Sequence, residues 1–300
     1  MTSSPAPEPA PALPADDVRL HLRDVARQIA TEAAEFVRRR RAEVFGDFTD
    51  AAPSEAMVAD SVRTKSTPTD PVTVVDTETE RLLRDRLAQL RPGDPVLGEE
   101  GGGPAAGVPA GAVTWVLDPI DGTVNFVYGI PAYGVSVAAQ VDGVSVAGAV
   151  ADVVSGEVYS AALGHGAQVQ GPAGARSLRC NPVADLSMAL LGTGFGYAPS
   201  RRAAQGVLLS KVMPSVRDIR RIGSAALDLC MVAAGRLDLY YEHRLNLWDW
   251  AAGALVAQEA GAHLLFPSDP AQLLVAAAPG VAADFHAVLD RNGALGPIPE

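Results

Sequence analysis

Residues 115–126 read Trp-Val-Leu-Asp-Pro-Ile-Asp-Gly-Thr-Val-Asn-Phe, and this segment is more informative than any other part of the chain. Asp118 and Asp121 lie three positions apart within apolar sequence, and a buried carboxylate needs a cation, hydrogen-bond donors or a raised pKa. Pro119 lacks a backbone N–H and interrupts strand pairing, so we predict a turn between the two aspartates that aims both side chains at one point. The alternative interpretation is a plain strand that ends in an Asp-Gly turn.

The residues that follow Asp121 are suited to binding an anion. Gly122 lets the backbone approach a ligand closely. Thr123 and Asn125 lie where a short helix could begin, and the first turn of a helix presents free N–H groups. Two carboxylates followed by donors for an anion indicate a site for a divalent metal and a phosphate.

Carboxylates also follow other apolar segments. Glu99 and Glu100 follow Gly98 and the apolar run 95–97. Asp249 lies between two tryptophans before an apolar helix, and Asp76 ends a β-branched run. A helix N-cap is the alternative interpretation of Asp249. If these acidic groups come together, they repel one another strongly at low dielectric, and carboxylate oxygens with room for water and phosphate suit Mg²⁺.

The chain resembles the inositol monophosphatase family in three motifs that occur in the same order: Gly-Glu-Glu at 98–100, Asp-Pro-Ile-Asp-Gly-Thr at 118–123 and Trp-Asp at 248–249. The resemblance extends from about Asp17 to the C-terminus, and actinobacterial inositol-1-monophosphatases are the most similar branch. It implies an α+β protein with a five-layer αβαβα sandwich of the inositol monophosphatase/fructose-1,6-bisphosphatase type. It also implies a magnesium-dependent, lithium-sensitive phosphoric monoester hydrolase.

The resemblance implies which residues would hold two or three Mg²⁺ ions. Glu99, Asp118 and the backbone carbonyl of Ile120 resemble the ligands of the first metal. Asp118, Asp121 and Asp249 resemble those of the second, so that Asp118 bridges the two ions, as two-metal phosphoryl chemistry requires. A third, weaker ion would contact Glu99.

The resemblance also implies a division of labour around the phosphate. The N–H groups of Gly122 and Thr123 would hold phosphate oxygens, and Glu99 and Thr123 would orient the attacking water. Asp76 resembles the family's partner of this threonine and would accept its hydroxyl proton. The implied catalytic residues are therefore Glu99, Thr123 and Asp76.

Substrate recognition is implied by segments that are less specific on their own. The implied substrate-binding residues are Asp121, Gly122, Thr123, Gly223, Ala225, Glu242 and Asp249. Without the resemblance, residues 221–225 are equally typical of a Gly-Ser helix cap, and Glu242 of a solvated acid after a strand. Lys65 matches a family lysine on a loop near the metals, and its alternative is a surface charge. Asn246 and Leu247 depart from the His-Cys that other members often carry.

The organisation predicted from patterning is a disordered arm over 1–16, an N-terminal α+β lobe over 17–170 and a C-terminal α/β lobe over 171–300. Asp16 and Asp17 are predicted to cap the first helix, and Arg38 to Arg41 to form its solvated end. Asp142-Gly143 between alternating apolar runs predicts a hairpin. Further predictions are a loop over 48–65, helices over 77–90, 203–212, 225–234 and 251–262, and apolar strands over 188–191 and 237–240.

Composition limits the function classes. The 300 residues are 48% hydrophobic and carry a net charge of -11, which argues against nucleic-acid binding through phosphate contacts. Cys180 and Cys230 lack metal-type spacing and are predicted to be free core thiols of a reducing compartment. The N-terminal segment lacks the features of a signal peptide, and no apolar run is long enough to span a membrane. We therefore expect a cytoplasmic protein that does not bind membranes, and a homodimer as in other family members.

The function implied is Mg²⁺-dependent hydrolysis of inositol 1-phosphate and related phosphomonoesters to an alcohol and phosphate, with a small phosphorylated sugar or cyclitol as substrate. The alternatives are a phosphatase for fructose 1,6-bisphosphate, histidinol phosphate or a 3′-phosphonucleotide, or a regulatory binding protein on the same scaffold. No histidine is assigned a catalytic role, because the five in the chain show no paired metal spacing.

Overall fold

The structure is a computed structural model, and it describes residues 13–46, 62–64, 71–104, 107–269 and 271–298. Lys65, nearly all of the predicted arm and most of the predicted loop over 48–65 lie outside these ranges. The helices are α1 Asp16–Phe45, α2 Val74–Leu90, α3 Thr123–Tyr128, α4 Pro199–Val212, α5 Ala225–Ala233, α6 Leu247–Glu259 and α7 Ala282–Arg291. Short 3₁₀ turns occupy Leu186–Met188 and Met213–Ser215.

The strands form three sheets. The small hairpin pairs β1 Val62–Thr64 with β2 Pro71–Thr73. The seven-stranded sheet contains β3 Val96–Gly98, β4 Val113–Asp121, β5 Gly134–Val141, β6 Val144–Asp152, β7 Val158–Ala162, β8 Ala167–Gly171 and β9 Gly174–Ser177 in sequential order. The five-stranded sheet contains β10 Leu190–Thr193, β11 Asp218–Arg220, β12 Leu239–His243, β13 His263–Leu265 and β14 Leu273–Ala277.

The two large sheets differ in how their strands pair. In the first sheet only β3 and β4 are parallel, and the remaining pairs are antiparallel. The second has the order β11-β10-β12-β14-β13, with β10 parallel to both of its neighbours and β14 antiparallel to both of its own. The predicted hairpin is present as β5 and β6, joined through Asp142 and Gly143, which both have positive φ.

Among the described residues, three apolar cores hold five layers together. The first core joins α1 and α2 to one face of the seven-stranded sheet, and the second places α5 and α6 between the two sheets. The third packs α4 and α7 on the outer face of the five-stranded sheet. Tyr240 and Tyr241 show the alternation of a strand, because Tyr240 enters the second core and Tyr241 the third. The αβαβα sandwich and the α+β class are thereby confirmed.

The first helix differs from the prediction at both ends. Ala15 is the N-cap, and its side chain makes no capping hydrogen bond. Asp16 and Asp17 therefore lie in the first turn, where their negative charges interact favourably with the helix dipole. Asp16 therefore belongs to α1 and not to an arm. The run 38–41 does not end the helix, because α1 continues to Phe45. Arg38 and Arg39 are exposed, as predicted, but Arg41 is only 4% exposed. Nε of Arg41 donates to the carbonyl of Phe126 at 3.1 Å, which ties α1 to α3.

Two other boundaries in the structure also differ from the predicted ones. The predicted turn after Asp118 is wrong: β4 continues to Asp121, with Pro119 and Ile120 in an irregularity of its pairing with β5. Such a bulge accommodates the missing N–H of proline without ending the strand. The first large sheet ends at Ser177, so the boundary at residue 170 falls inside the pairing of β8 with β9.

The helices and cysteines of the described part of the chain bear on two of the predictions. Among its helices, none is long and apolar enough to cross a membrane. Cys230 is buried and Cys180 is half-buried, and both are free thiols, as predicted. Burial raises the pKa of Cys180 to about 11, so this thiol is unreactive at neutral pH.

Candidate active site

A cavity of about 720 Å³ opens where β3 and β4 end and where α3, α5 and α6 begin. Its lining includes all but two of the predicted site residues: Glu99, Asp118, Ile120, Asp121, Gly122, Thr123, Gly223, Ala225, Glu242 and Asp249. Asp76 lies behind Thr123, and Lys65 lies outside the described residues. Another cavity of about 780 Å³ along α1 contains none of the predicted residues. The cavity of about 720 Å³ is the candidate active site, because several carboxylates converge on it.

The bulge of β4 positions Asp118. Oδ1 of Asp118 accepts the backbone N–H of Ile120 at 3.1 Å, and the residue is only 2% exposed. Pairing with β5 resumes at Asp121, opposite Gly134. The irregular backbone therefore places two carboxylates and the Ile120 carbonyl at the mouth of the cavity, although they come from one strand.

Asp121 connects the first sheet to α5. Its Oδ2 accepts the hydroxyl of Ser224 at 2.6 Å and the backbone N–H of Ala226 at 2.7 Å. Ser224 is the N-cap of α5, so the carboxylate lies at the positive end of that helix. These bonds occupy Oδ2 and fix the rotation of the side chain, while they make no use of Oδ1.

Thr123 lies between two acceptors. Its hydroxyl oxygen is 3.2 Å from Oδ1 of Asp76 and 3.0 Å from the carbonyl of Ile120, and its single proton serves one of them at a time. Asp76 is held from behind, because its Oδ2 accepts the N–H of Thr73 at 2.9 Å and the Thr73 hydroxyl at 2.5 Å. When Thr123 donates to Asp76, the carbonyl of Ile120 keeps both lone pairs for another ligand.

Thr73 and Asp76 form a capping box, and α2 therefore begins at Val74 and not at Thr77. The same explanation applies to Asp249. Its Oδ2 accepts the backbone N–H of Asn246 at 2.7 Å, and α6 begins at Leu247, with Asn246 as the N-cap. The alternative that Asp249 itself is the N-cap is wrong. Both carboxylates are third residues of their helices, which aims them back across the helix start.

Burial and the neighbouring negative charges raise the pKa values of the carboxylates in the cavity. Burial, followed by the charge of Glu99, raises the pKa of Asp118 well above its ordinary value. Burial, followed by the charge of Asp121, does the same for Asp249, and burial raises the pKa of Asp121 to about 6. Among the described residues, Asp118, Asp121 and Asp249 form no salt bridge with Lys, Arg or His. Within the described residues, the charge of these three carboxylates is therefore not balanced by a salt bridge to a protein cation.

This donor set fits Mg²⁺. It consists of carboxylate oxygens and one carbonyl, without thiol or imidazole, and it faces a cavity with room for water and phosphate. Within the ranges that the structure describes, no group of three or more His, Cys, Asp or Glu side chains is close enough together to hold a metal ion. Binding of a dication would therefore have to draw these carboxylates together, and its charge would offset their mutual repulsion.

Glu242 lies on the opposite wall, at the end of β12. The hydroxyl of Tyr240 donates to its Oε2 at 2.7 Å, and burial raises the pKa of Glu242 to about 7. A Cβ at Gly194 would lie 1.8 Å from the same Oε2, so this position admits the carboxylate only because it is glycine. The guanidinium groups of Arg221 and Arg201 act in the opposite direction and lower the pKa of Glu242.

Two glycines shape the loops around the cavity. Gly122 has φ of +98° and Gly223 has φ of +99°, a left-handed region that other residues rarely adopt. Nδ2 of Asn125 donates to the carbonyl of Ala132 at 2.7 Å and to that of Ile222 at 2.9 Å. Asn125, which the sequence interpretation treated as a helix-start donor, therefore joins the loop before β5 to the loop before α5.

Sequence reasoning missed several residues of this site. Ser224 was part of a quoted helix start, but its bond to Asp121 depends on a contact between β4 and the start of α5. Asp228 is 1% exposed, and its Oδ1 has no hydrogen-bond partner among the described residues. Burial and the charge of Glu242 raise its pKa well above the ordinary value. In the sequence it is one acid on an apolar helix, and nothing there indicates that it lines the cavity.

The comparisons with known proteins show which family the chain belongs to. A model of the inositol monophosphatase family matches residues 19–292. An inositol-1-monophosphatase of Mycobacterium leprae is 68% identical over 284 residues, which cover 92% of this chain and 96% of that protein. The inositol-1-monophosphatase SuhB of Mycobacterium tuberculosis strain H37Rv is 62% identical over 291 residues, covering 95% and 99% of the two chains.

Solved structures give the same result. The structure of Mycobacterium tuberculosis SuhB matches with a TM-score of 0.78 and 57% identity, over 93% of this chain and 99% of that one. Thermotoga maritima IMPase TM1415 matches with a TM-score of 0.73 and 26% identity, over 90% and 97%. The resemblance inferred from three short motifs is confirmed, and the chain belongs to the inositol monophosphatase family.

Proposed function

We propose that the protein hydrolyses inositol 1-phosphate and related phosphomonoesters in a Mg²⁺-dependent reaction. The observation that carries this proposal is the convergence of Asp118, Asp121 and Asp249 on one cavity that also contains the Thr123–Asp76 pair and Glu242. Phosphatase chemistry needs the first set, and selection of a polyhydroxylated alcohol needs the last residue. Both are present within one family scaffold of matching length.

The metal would be held by the residues that the sequence analysis named. Glu99, Asp118 and the Ile120 carbonyl would bind one Mg²⁺, and Asp118, Asp121 and Asp249 a second, with a third near Glu99. Mg²⁺, when bound, supplies the positive charge that lowers the pKa of a water and stabilises the leaving alkoxide. The departing oxygen then requires no protein acid of raised pKa.

Thr123 and Glu99 would orient the attacking water. With its own proton donated to Oδ1 of Asp76, the hydroxyl of Thr123 presents a lone pair toward the cavity and accepts a hydrogen bond from that water. Asp76 stays fixed because Thr73 occupies its other oxygen. The backbone N–H groups of Gly122 and Thr123 would hold the phosphate oxygens.

The alcohol part of the substrate would lie between α5 and β12. Glu242 would accept hydrogen bonds from ring hydroxyls, and Tyr240 holds its carboxylate in place. Gly223 and Ala225 would form the adjoining wall, because both line the same cavity. Lys65 would act from a loop near the metals. Lithium inhibition, a homodimer and a cytoplasmic location belong to the same proposal and rest on family membership.

The test is phosphate release from a panel of esters, measured with Mg²⁺ and with the metal chelated. The panel contains inositol 1-phosphate, fructose 1,6-bisphosphate, histidinol phosphate and a 3′-phosphonucleotide. We expect the highest kcat/KM for inositol 1-phosphate and no turnover without the metal. A higher kcat/KM for another ester would replace the proposed substrate, and the absence of turnover with every ester would favour the regulatory alternative.

A further inference from the structure

A buried carboxylate outside the proposed ligand set lies directly under the turn that carries Glu99. Glu80, on α2, is only 2% exposed. Its Oε2 accepts the backbone N–H of Glu100 at 2.7 Å, and its Oε1 accepts that of Gly101 at 2.8 Å. Nε of Arg84 completes the set with a bond to Oε1 at 2.7 Å. Both oxygens of this carboxylate are thus committed to the turn or to its flank.

The turn is built around this carboxylate. Backbone bonds between Gly98 and Gly102, of 3.1 and 3.0 Å, close its ends. A Cβ at Gly98 would lie 2.4 Å from Oε1 of Glu80, and one at Gly101 would lie 2.6 Å from the same atom. Glycine at these two positions leaves the space that Glu80 fills. The Gly-Glu-Glu-Gly sequence is therefore matched to a partner that lies 20 residues earlier in the chain.

The helix that provides Glu80 also provides Asp76. The two residues are four positions apart, so they lie on the same face of α2, one turn above the other. Asp76 contacts Thr123, and Glu80 holds the two residues that directly follow Glu99. One helix face consequently determines the relative placement of the two residues that would orient the attacking water.

We propose that Glu80 is a positioning residue for the metal site, and that it sets Mg²⁺ affinity by fixing the turn that carries Glu99. This inference rests on the proposed function, since it assumes that Glu99 is a metal ligand. The physical reason is that a metal-ligating carboxylate must be presented in one orientation, and Glu80 fixes the backbone that follows Glu99. Residues that orient metal ligands affect metal affinity about 10- to 100-fold when they are changed.

The experiment measures Mg²⁺ binding separately from catalysis. Glu80→Gln places an amide NH₂ against one of the two backbone N–H groups, so one of these bonds is lost. We expect the Mg²⁺ concentration for half-maximal thermal stabilisation to rise about tenfold. The kcat at saturating Mg²⁺ should stay within about threefold of wild type, because Glu99 itself is present. Amide exchange at Glu100 and Gly101 in the metal-free protein should accelerate.

The matched control is Thr79→Val on the same helix. Thr79 is fully buried, and its hydroxyl donates to the carbonyl of Val75 at 2.6 Å without contacting the turn. This variant should lower the Tm and leave the half-saturating Mg²⁺ concentration unchanged. Gly101→Ala provides a second perturbation of the same contact from the opposite side, in case Glu80→Gln does not fold, and it should weaken Mg²⁺ binding in the same way.

The outcomes distinguish a failure of the proposed function from a failure of the role proposed for Glu80. If wild-type protein shows neither Mg²⁺ stabilisation nor phosphate release, the proposed function is wrong. If wild type binds Mg²⁺ and the folded Glu80→Gln or Gly101→Ala variant binds it equally well, the role of Glu80 is wrong and the proposed function stands. A loss of Mg²⁺ affinity in Thr79→Val equal to that in Glu80→Gln would also overturn it, because general destabilisation would then suffice.

Discussion

The hydroxyl of Ser224 donates a 2.6 Å hydrogen bond to Oδ2 of Asp121, across 103 positions of sequence. Asp121 ends β4 of the seven-stranded sheet, and Ser224 begins α5, which packs between the two sheets. One buried contact therefore holds a proposed metal ligand against the wall that would receive the alcohol. The candidate site is a joint product of both sheets, and its ligands are oriented by bonds that span them.

This contact gives the first prediction. Ser224→Ala removes a buried hydrogen bond to a carboxylate and the N-cap of α5, which together contribute about 1–3 kcal/mol to the free energy of unfolding. Urea denaturation of the metal-free protein should show that loss, and Mg²⁺ should bind more weakly. Ser187→Ala is the control, because Ser187 is an exposed serine that also bonds an aspartate. Equal stability of the two variants would contradict this account.

The second prediction concerns pH. Burial raises the pKa of Asp121 to about 6 and that of Asp76 to about 7, from an ordinary value of 3.8. A carboxyl with a raised pKa stays protonated in the folded protein after the unfolded chain has ionised. The contribution of such a carboxyl to the free energy of unfolding is therefore fully present below pH 3.8 and is lost as the pH rises through 6 to 7.

Because Mg²⁺ must displace the proton of its proposed ligand Asp121, Mg²⁺ binding should strengthen as the pH rises through about 6. We expect the Mg²⁺-induced rise in Tm to be small at pH 5 and to grow up to about pH 8. Differential scanning calorimetry with and without a fixed Mg²⁺ concentration measures it. Independence of that rise from pH would show that the carboxylates are already ionised in the metal-free protein.

The third prediction separates substrate recognition from chemistry. Glu242→Gln weakens an acceptor for ring hydroxyls, and a hydrogen bond to a charged group is worth about 1.5–3 kcal/mol, or about ten- to a hundredfold in kcat/KM. The loss should appear with inositol 1-phosphate and be much smaller with glycerol 2-phosphate. Glu99→Gln should depress both esters alike. Equal losses for Glu242→Gln on the two esters would remove the basis for a sugar-reading role.

The fourth prediction is a homodimer. Family membership motivates it. Light scattering at micromolar concentration should give about twice the 31.0 kDa mass of the chain. A mass of one chain over the same concentration range would contradict it.

Residues whose chemistry is local were predictable from the sequence. Asp118 and Asp121 line one cavity because they flank a proline bulge within a single strand. Two helices begin several residues earlier than apolar periodicity alone predicts. The reason is that Thr73 with Asp76, and Asn246 with Asp249, form capping boxes, which place both aspartates inside the helices. Pro119 does not end the strand as expected, because a β-bulge accommodates it within β4.

Contacts between distant segments were not predictable. Arg41 belongs to a run of charges that is typical of a solvated helix end, yet it is buried against the carbonyl of Phe126. Glu80 has the sequence context of an exposed helical acid and is instead enclosed by the turn around Glu99. In both cases the partner is a backbone group of a remote loop, and backbone groups leave no trace in the amino-acid sequence.

The central claim is that Asp118 bridges two metal ions, and Asp118→Asn tests it most directly. Phosphate release from inositol 1-phosphate should be measured for the folded variant at saturating Mg²⁺, with the exposed Asp185→Asn as a control for loss of one aspartate charge. The account predicts that Asp118→Asn has no detectable turnover, while Asp185→Asn retains wild-type kcat. Near-normal kcat of Asp118→Asn would contradict the two-metal assignment.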